Sequence, residues 1–254
     1  MKKTLIFMVI AAIIITISAC NVKEGQEVSG ISNNEASIIA DSDQLLEDEE
    51  DTSEEEDETV DSDLVRYRET LDFYYQALNE KWGEGMLLDN NLSILSSYCY
   101  DGNALDNVGY SFLDINEDGK DELLIGGIFS IEYEEFINKI IFDLYMEESG
   151  VIKHVFTSSE RDRYYIIADE CGTYYFVNEG AGGAGYSIYG SYTLEGSELK
   201  AGKGVRSEYE WYLMEDVSKD VSEGVHIGDG EAQQLIEKMQ EQYLQIDWIP
   251  FSAV

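Results

Sequence analysis

Leu64, Tyr67, Leu71, Tyr74, Tyr75, Leu78 and Trp82 recur at helical spacing, which predicts an amphipathic helix that ends near Gly83-Glu84-Gly85. Met86 to Tyr100 has room for a shorter second helix. Further on the period changes to two. Ile140, Phe142, Leu144 and Met146 alternate with other residues, Glu148-Ser149-Gly150 supplies a turn, and Val151 to Thr157 alternates again, which predicts a hairpin. Tyr164 to Ala168 and Thr173 to Val177 flank Asp169-Glu170-Cys171-Gly172 in the same way. Tyr186 to Leu194 and Val205 to Leu213 read as further strands of an antiparallel meander. Near the end, Asp229 is placed to cap a helix with Ala232, Leu235, Ile236, Met239 and Tyr243 on one face, before an extended stretch from Ile246 to Phe251 that holds Pro250. The pattern therefore predicts an α+β domain over residues 64–254: an N-terminal amphipathic helix, an antiparallel β meander and a C-terminal helix. These 191 residues suffice for one sizeable core.

The first 63 residues follow other patterns. Lys2 and Lys3 precede an apolar run from Leu5 to Ile15, and Ile17-Ser18-Ala19-Cys20 follows with small residues before the cysteine. This leader resembles the lipobox at which bacterial lipoprotein precursors are lipidated and cut. The resemblance implies a signal peptide over residues 1–19 and a mature chain that starts at Cys20, carries acyl chains on it and is anchored at the outer face of the cell membrane. The apolar run is shorter than the roughly 20 residues that a spanning helix needs. From Asn21 to Asp63 the chain is polar and acidic, with Glu47 to Asp51 and Glu54 to Glu58 as near-continuous negative runs. Such a segment cannot bury a core and repels itself, so residues 20–63 are expected to be a disordered, extended stalk.

Charge narrows the partners. The chain holds 53 acidic and 16 basic residues, a net charge of −37, and loss of Lys2 and Lys3 with the leader takes it to −39. A field of that sign repels phosphates, excludes nucleic acid as a partner and attracts cations. With Cys20 assigned to lipid, Cys99 and Cys171 are too few for a disulfide framework, and a bridge between them is left open. His154 and His226 do not make a multi-histidine zinc site. His154 shares a strand face with Ile152 and Phe156 on simple alternation, which marks it as a core or interfacial residue.

One motif carries chemistry. In Asp114-Ile115-Asn116-Glu117-Asp118-Gly119-Lys120-Asp121-Glu122, oxygen-bearing side chains fall at loop positions 1, 3, 5 and 9, with glycine at 6. A calcium ion takes six to eight oxygens, and a tight loop turns every second side chain inward while glycine permits the bend. The spacing makes Asp114, Asn116, Asp118 and Glu122 side-chain ligands and the Lys120 carbonyl a backbone ligand, while Asp121 points away. The loop resembles those of dockerins and of FG-GAP or VCBS-type repeats, where D-x-[DN]-x-D-G-x-x-[DE] runs directly into an apolar strand, here Leu123 to Gly127. Ile125 stands where an EF-hand needs its bidentate Glu, so strand-loop-strand is the expected setting. The stretch from Tyr110 to Gly126 also resembles one in surface lipoproteins of Gram-positive gut bacteria. A structural Ca²⁺ of modest affinity follows from the resemblance, since extracellular modules bind at about 10⁻⁴ to 10⁻³ M.

Other signals are weaker. Gly180-Ala181-Gly182-Gly183-Ala184-Gly185 matches G-x-G-x-x-G but precedes a strand instead of a helix, so it reads as a flexible loop and not as a nucleotide site. The tyrosines between Tyr164 and Tyr212 suit cross-strand aromatic pairs, or a platform for sugar rings or peptide. No G-x-S-x-G or H-E-x-x-H motif is present. The expectation is a non-enzymatic, membrane-tethered binding module for a glycan, wall polymer or protein. A secreted hydrolase acting on wall or dietary polysaccharide, with its acid pair lost among many carboxylates, is the alternative.

Overall fold

The computed structural model describes residues 62–128 and 138–253. The leader, Cys20 and nearly all of the acidic segment, through residue 61, lie outside the described residues. The domain is mostly β: among the described residues, eleven strands form one antiparallel sheet, with a few helices packed on it.

Helices α1 (Ser62–Arg66) and α2 (Arg68–Asn79) replace the single expected helix. Leu71, Tyr74, Ala77 and Leu78 bury the core side of α2, whereas Tyr75, on the flank of that stripe, is 37% exposed. The helix ends before Gly83. Lys81 adopts φ +50°, its N–H bonds Leu78 O at 3.1 Å, and the Trp82 N–H bonds Ala77 O at 3.0 Å. This is a Schellman motif with lysine at the left-handed position where glycine is usual. It turns Trp82 back into the core at 7% exposure. The second helix expected after it is split into α3 (Glu84–Asp89) and a 3₁₀ turn, Ile94–Cys99, with the four-residue α4 (Ala104–Asn107) following.

The strands are β1 (Val108–Leu113), β2 (Glu122–Gly127), β3 (Ile141–Glu148), β4 (Val151–Thr157), β5 (Asp162–Ala168), β6 (Tyr174–Gly183), β7 (Tyr186–Glu195), β8 (Glu198–Glu208), β9 (Glu210–Met214), β10 (Val225–Ile227) and β11 (Ile249–Pro250). Their order is β10-β9-β8-β7-β6-β5-β3-β2-β1-β11, with β4 paired to β3 alongside β5. The meander and its hairpin turns fall where the pattern puts them, with two exceptions. Val205 to Leu213 is not one strand, because Tyr209 at φ +66° reverses the chain between β8 and β9. The glycine-rich stretch is not a loop either: β6 runs through it to Gly183, and Gly183 and Gly185, at φ +126° and +85°, make the turn into β7.

Strands β2 and β3 are covered on both faces. Leu123, Ile125, Phe142 and Tyr145 join Leu71, Tyr74, Leu78, Leu87 and Leu95 under the N-terminal helices. Leu124, Ile141 and Leu144 face the other way, with Phe156, Ile166 and Phe176. Double coverage explains why β2 reads as an unbroken apolar run, and why the residues between the alternating positions of β3 are also buried. Helix α5 (Asp229–Gln240) lays Ala232 and Ile236 on Val205 and Ile227 as a third, smaller core. Gly228 is its N-cap, so Asp229 sits in the first turn, against the positive end of the helix dipole, and not at the cap. Cys99 keeps a buried thiol and forms no bridge to Cys171.

Candidate metal centre

The loop from Asp114 to Asp121 joins β1 to β2, a strand-loop-strand connection whose base is the Leu113–Glu122 pair. Its fold is written in its own side chains. Asp114 accepts the Asp118 N–H at 3.0 Å on Oδ1 and the Gly119 N–H at 2.9 Å on Oδ2. Asn116 Oδ1 also accepts from the Asp118 N–H, at 3.0 Å, and Asp118 Oδ1 accepts from the Lys120 N–H at 2.9 Å. Glu117 and Gly119 take positive φ, +58° and +84°, which bends the chain tightly enough for these contacts. The loop is tied to its surroundings at one end: Tyr67 Oη donates to Asp121 O at 2.9 Å, and Lys120 Nζ pairs with Glu147 at 2.9 Å.

Glu122 is the exception to this exposed, polar setting. It is 2% exposed, and its Oε2 accepts the Ile115 N–H at 2.7 Å. Burial pushes its carboxyl up from 4.5 to about 7; the Ile115 N–H opposes the rise, and the nearby Asp118 and Asp114 add to it. A buried carboxylate with like charges beside it is what a cation would relieve.

The donor set suits a hard cation. A carboxylate offers about four lone-pair sites, so Asp114 and Asp118 keep acceptor capacity beyond the amides they hold. With Asn116, the Lys120 carbonyl and Glu122, the loop offers five candidate oxygen donors along its sequence. The side chains rest on the loop's own amides, and among the described residues no group of three or more His, Cys, Asp or Glu is gathered around a common point.

A second polar centre escaped the sequence reading. Asp143, 0% exposed in the middle of β3, accepts from Tyr74 Oη and from the Ser93 N–H (3.0 Å) on one oxygen. Its other oxygen meets Thr157 Oγ1 at 2.7 Å and His154 Nε2 at 2.8 Å. The signal was an aspartate inside Ile140-Ile141-Phe142-Asp143-Leu144-Tyr145-Met146, since a carboxylate in such a run needs partners. His154 lies with Tyr145 at a ring distance of 4.4 Å and does not share the face of Phe156, which packs in the opposite core.

The tyrosines act chiefly as packing. Tyr165 stacks on Tyr243 at 4.2 Å and Tyr164 on Phe156 at 4.0 Å, while Tyr186 and Tyr209, 40% and 80% exposed, meet edge to face at a hairpin tip. Comparison with known protein families, with characterised proteins and with solved structures finds no match.

Proposed function

We propose that this chain is a non-enzymatic extracellular lipoprotein, anchored through acyl groups on Cys20, whose β-rich domain binds a glycan, wall polymer or protein at the cell surface. A structural Ca²⁺ in the β1–β2 loop, held by Asp114, Asn116, Asp118, the Lys120 carbonyl and Glu122, pins the entry to the buried strand β2. The observation that carries the calcium reading is Glu122: a carboxyl 2% exposed at the mouth of the loop, pushed up to about 7 by burial, with the nearby Asp118 and Asp114 adding to the rise. The ion supplies charge compensation and no chemistry of reaction. The anchored setting is carried by the leader and its lipobox alone.

The test of the ion is a thermal melt. At calcium ten to a hundred times a Kd of about 10⁻⁴ to 10⁻³ M, linkage gives roughly 2 kcal/mol, or about 4–8 °C for a domain of this size. Asp118→Ala should abolish that shift, and an equal melting temperature in calcium and in chelator would remove the ion from the account. For the anchor, Cys20→Ala should release the protein from the cell into the medium. Retention of that variant on the membrane would refute lipid tethering.

A further inference from the structure

Successive residues of a strand face opposite ways, so residues three apart do not share a face. His154 and Thr157 do. The ladder between β3 and β4 pairs Asp143 with Thr157, Leu144 with Phe156 and Tyr145 with His154, which leaves Val155 as the extra residue of a β-bulge. Bulges re-aim side chains and collect beside functional sites. This one turns both the imidazole and the hydroxyl onto Asp143.

The hydrogen bonds around Asp143 fix the tautomer. Tyr74 Oη, the Ser93 N–H and Thr157 Oγ1 all donate to the carboxylate, so Nε2 of His154 must also present a proton to it. Thr157 Oγ1, 3.0 Å from Nε2, shares that proton. In the neutral ring the lone pair then lies on Nδ1, which has no partner among the described residues. The side chain is 25% exposed, and the stack on Tyr145, at 15° between planes, holds its orientation. A histidine locked this way by a buried acid offers a fixed acceptor to solvent.

It opens into a cavity. About 300 Å³ of space is bounded by Leu88, Asn91 and Leu92 on the helical side and by His154, Phe156 and Thr157 on the bulged strand. Asn91 is held at φ +55°, and its side-chain amide has no partner among the described residues. Leu88 is 61% exposed at the rim. Among the described residues, no lining side chain other than the imidazole can carry charge. The volume is at the small end of ligand pockets, which run from about 300 to 1,000 Å³.

We propose that this cavity binds one uncharged sugar unit of a glycan. A ring hydroxyl donates to His154 Nδ1, a second meets the Asn91 amide, and an apolar ring face lies on Leu88. The ligand is uncharged because the lining offers no counter-charge and a net charge of −37 repels anionic sugars. The inference deepens the binding-module reading and rests on it for the extracellular setting, while the calcium loop takes no part.

His154 and His226 are the only two histidines, so ring-selective NMR of the full chain gives one site signal and one control, the 58% exposed His226. The methyl glycosides of glucose, galactose, mannose and N-acetylglucosamine would each be titrated to about 50 mM, enough to reveal a millimolar Kd. At least one should shift the His154 resonances to saturation without moving His226. Asn91→Ala should weaken that response about three- to tenfold, as loss of one neutral hydrogen bond does. Leu88→Asp, a change at an exposed position, should weaken it at least as much, and glucuronate should bind at least about tenfold more weakly than the neutral sugar. No His154 response to any of the four sugars, a response unaltered by Leu88→Asp, or glucuronate binding as well as its neutral counterpart would overturn the proposal. Melting the same samples in calcium and in chelator separates the two readings, since a calcium shift without a sugar response removes only this one.

Discussion

Glu122 makes the calcium reading quantitative. Its carboxyl is held at about 7 in the folded protein against 4.5 in the open chain, so between those values the native state carries the extra proton. The sign follows from linkage: the contribution of Glu122 is full below about pH 4.5 and is lost as the pH climbs through 7. One pH unit of displacement corresponds to about 1.4 kcal/mol, so in chelator the domain should lose about 2–3 kcal/mol between pH 5 and pH 8, or roughly 5–10 °C in Tm. Glu122→Gln keeps an oxygen for the Ile115 N–H and removes the charge. In chelator it should flatten the profile and exceed the wild type at pH 8. With calcium the order should reverse, because the wild type gains the ion and the variant does not. Urea denaturation of both proteins at pH 5, 6, 7 and 8, in each condition, reads these differences directly. The comparison isolates Glu122 from the many exposed carboxylates, which both proteins share. Parallel profiles for wild type and variant in chelator would refute the reasoning.

Two further outcomes probe the frame around the sites. Asp143→Ala strips the acceptor from Tyr74, Ser93, Thr157 and His154 at a position with no solvent access, and should cost about 3–5 kcal/mol in a urea titration; a loss below about 1 kcal/mol would show that these groups find other partners. Glycine substitutions should split by sign in thermal melts. A Cβ on Gly126 would stand 2.3 Å from the Trp248 ring and 2.6 Å from Ile140 O, so Gly126→Ala should cost about 1–3 kcal/mol, whereas Gly85→Ala, within α3 and with nothing inside 4 Å, should gain about 0.5–1 kcal/mol.

What could be read without coordinates is what neighbouring residues decide among themselves. The β3–β4 turn was visible in Ser149-Gly150, whose φ values of +55° and +80° are those of a tight hairpin turn. The β1–β2 loop was visible because its own carboxylates hold its own amides, none more than eight residues away. Terminations set by exceptional residues were not visible. Lys81 and Tyr209 adopt a backbone conformation that their side chains disfavour, and only the surrounding packing selects it. Asp143 was hidden for a different reason: Ser93 and Tyr74 reach it from 50 and 69 residues away.

The bulge at Val155 bears on this most directly. Alternation over Val151 to Thr157 places Ile152, His154 and Phe156 on one face, and that face would bury a histidine among apolar groups. The slip in register keeps Ile152 and His154 together but sends Phe156 to the opposite core. One inserted residue thus converts a core histidine into a hydrogen-bonded, partly exposed one. The cause lies in the partner strand: Asp143, drawn to Tyr74 and Ser93 on the helical side, needs two more donors there, and a regular strand would supply Thr157 alone. The bulge satisfies the carboxylate and, by the same displacement, exposes Nδ1. Binding capacity at this site is therefore a by-product of burying a charge: were β4 paired regularly with Val155 retained, Val155 would stand opposite Tyr145 and His154 would turn away from Asp143, so the site exists only through the slip.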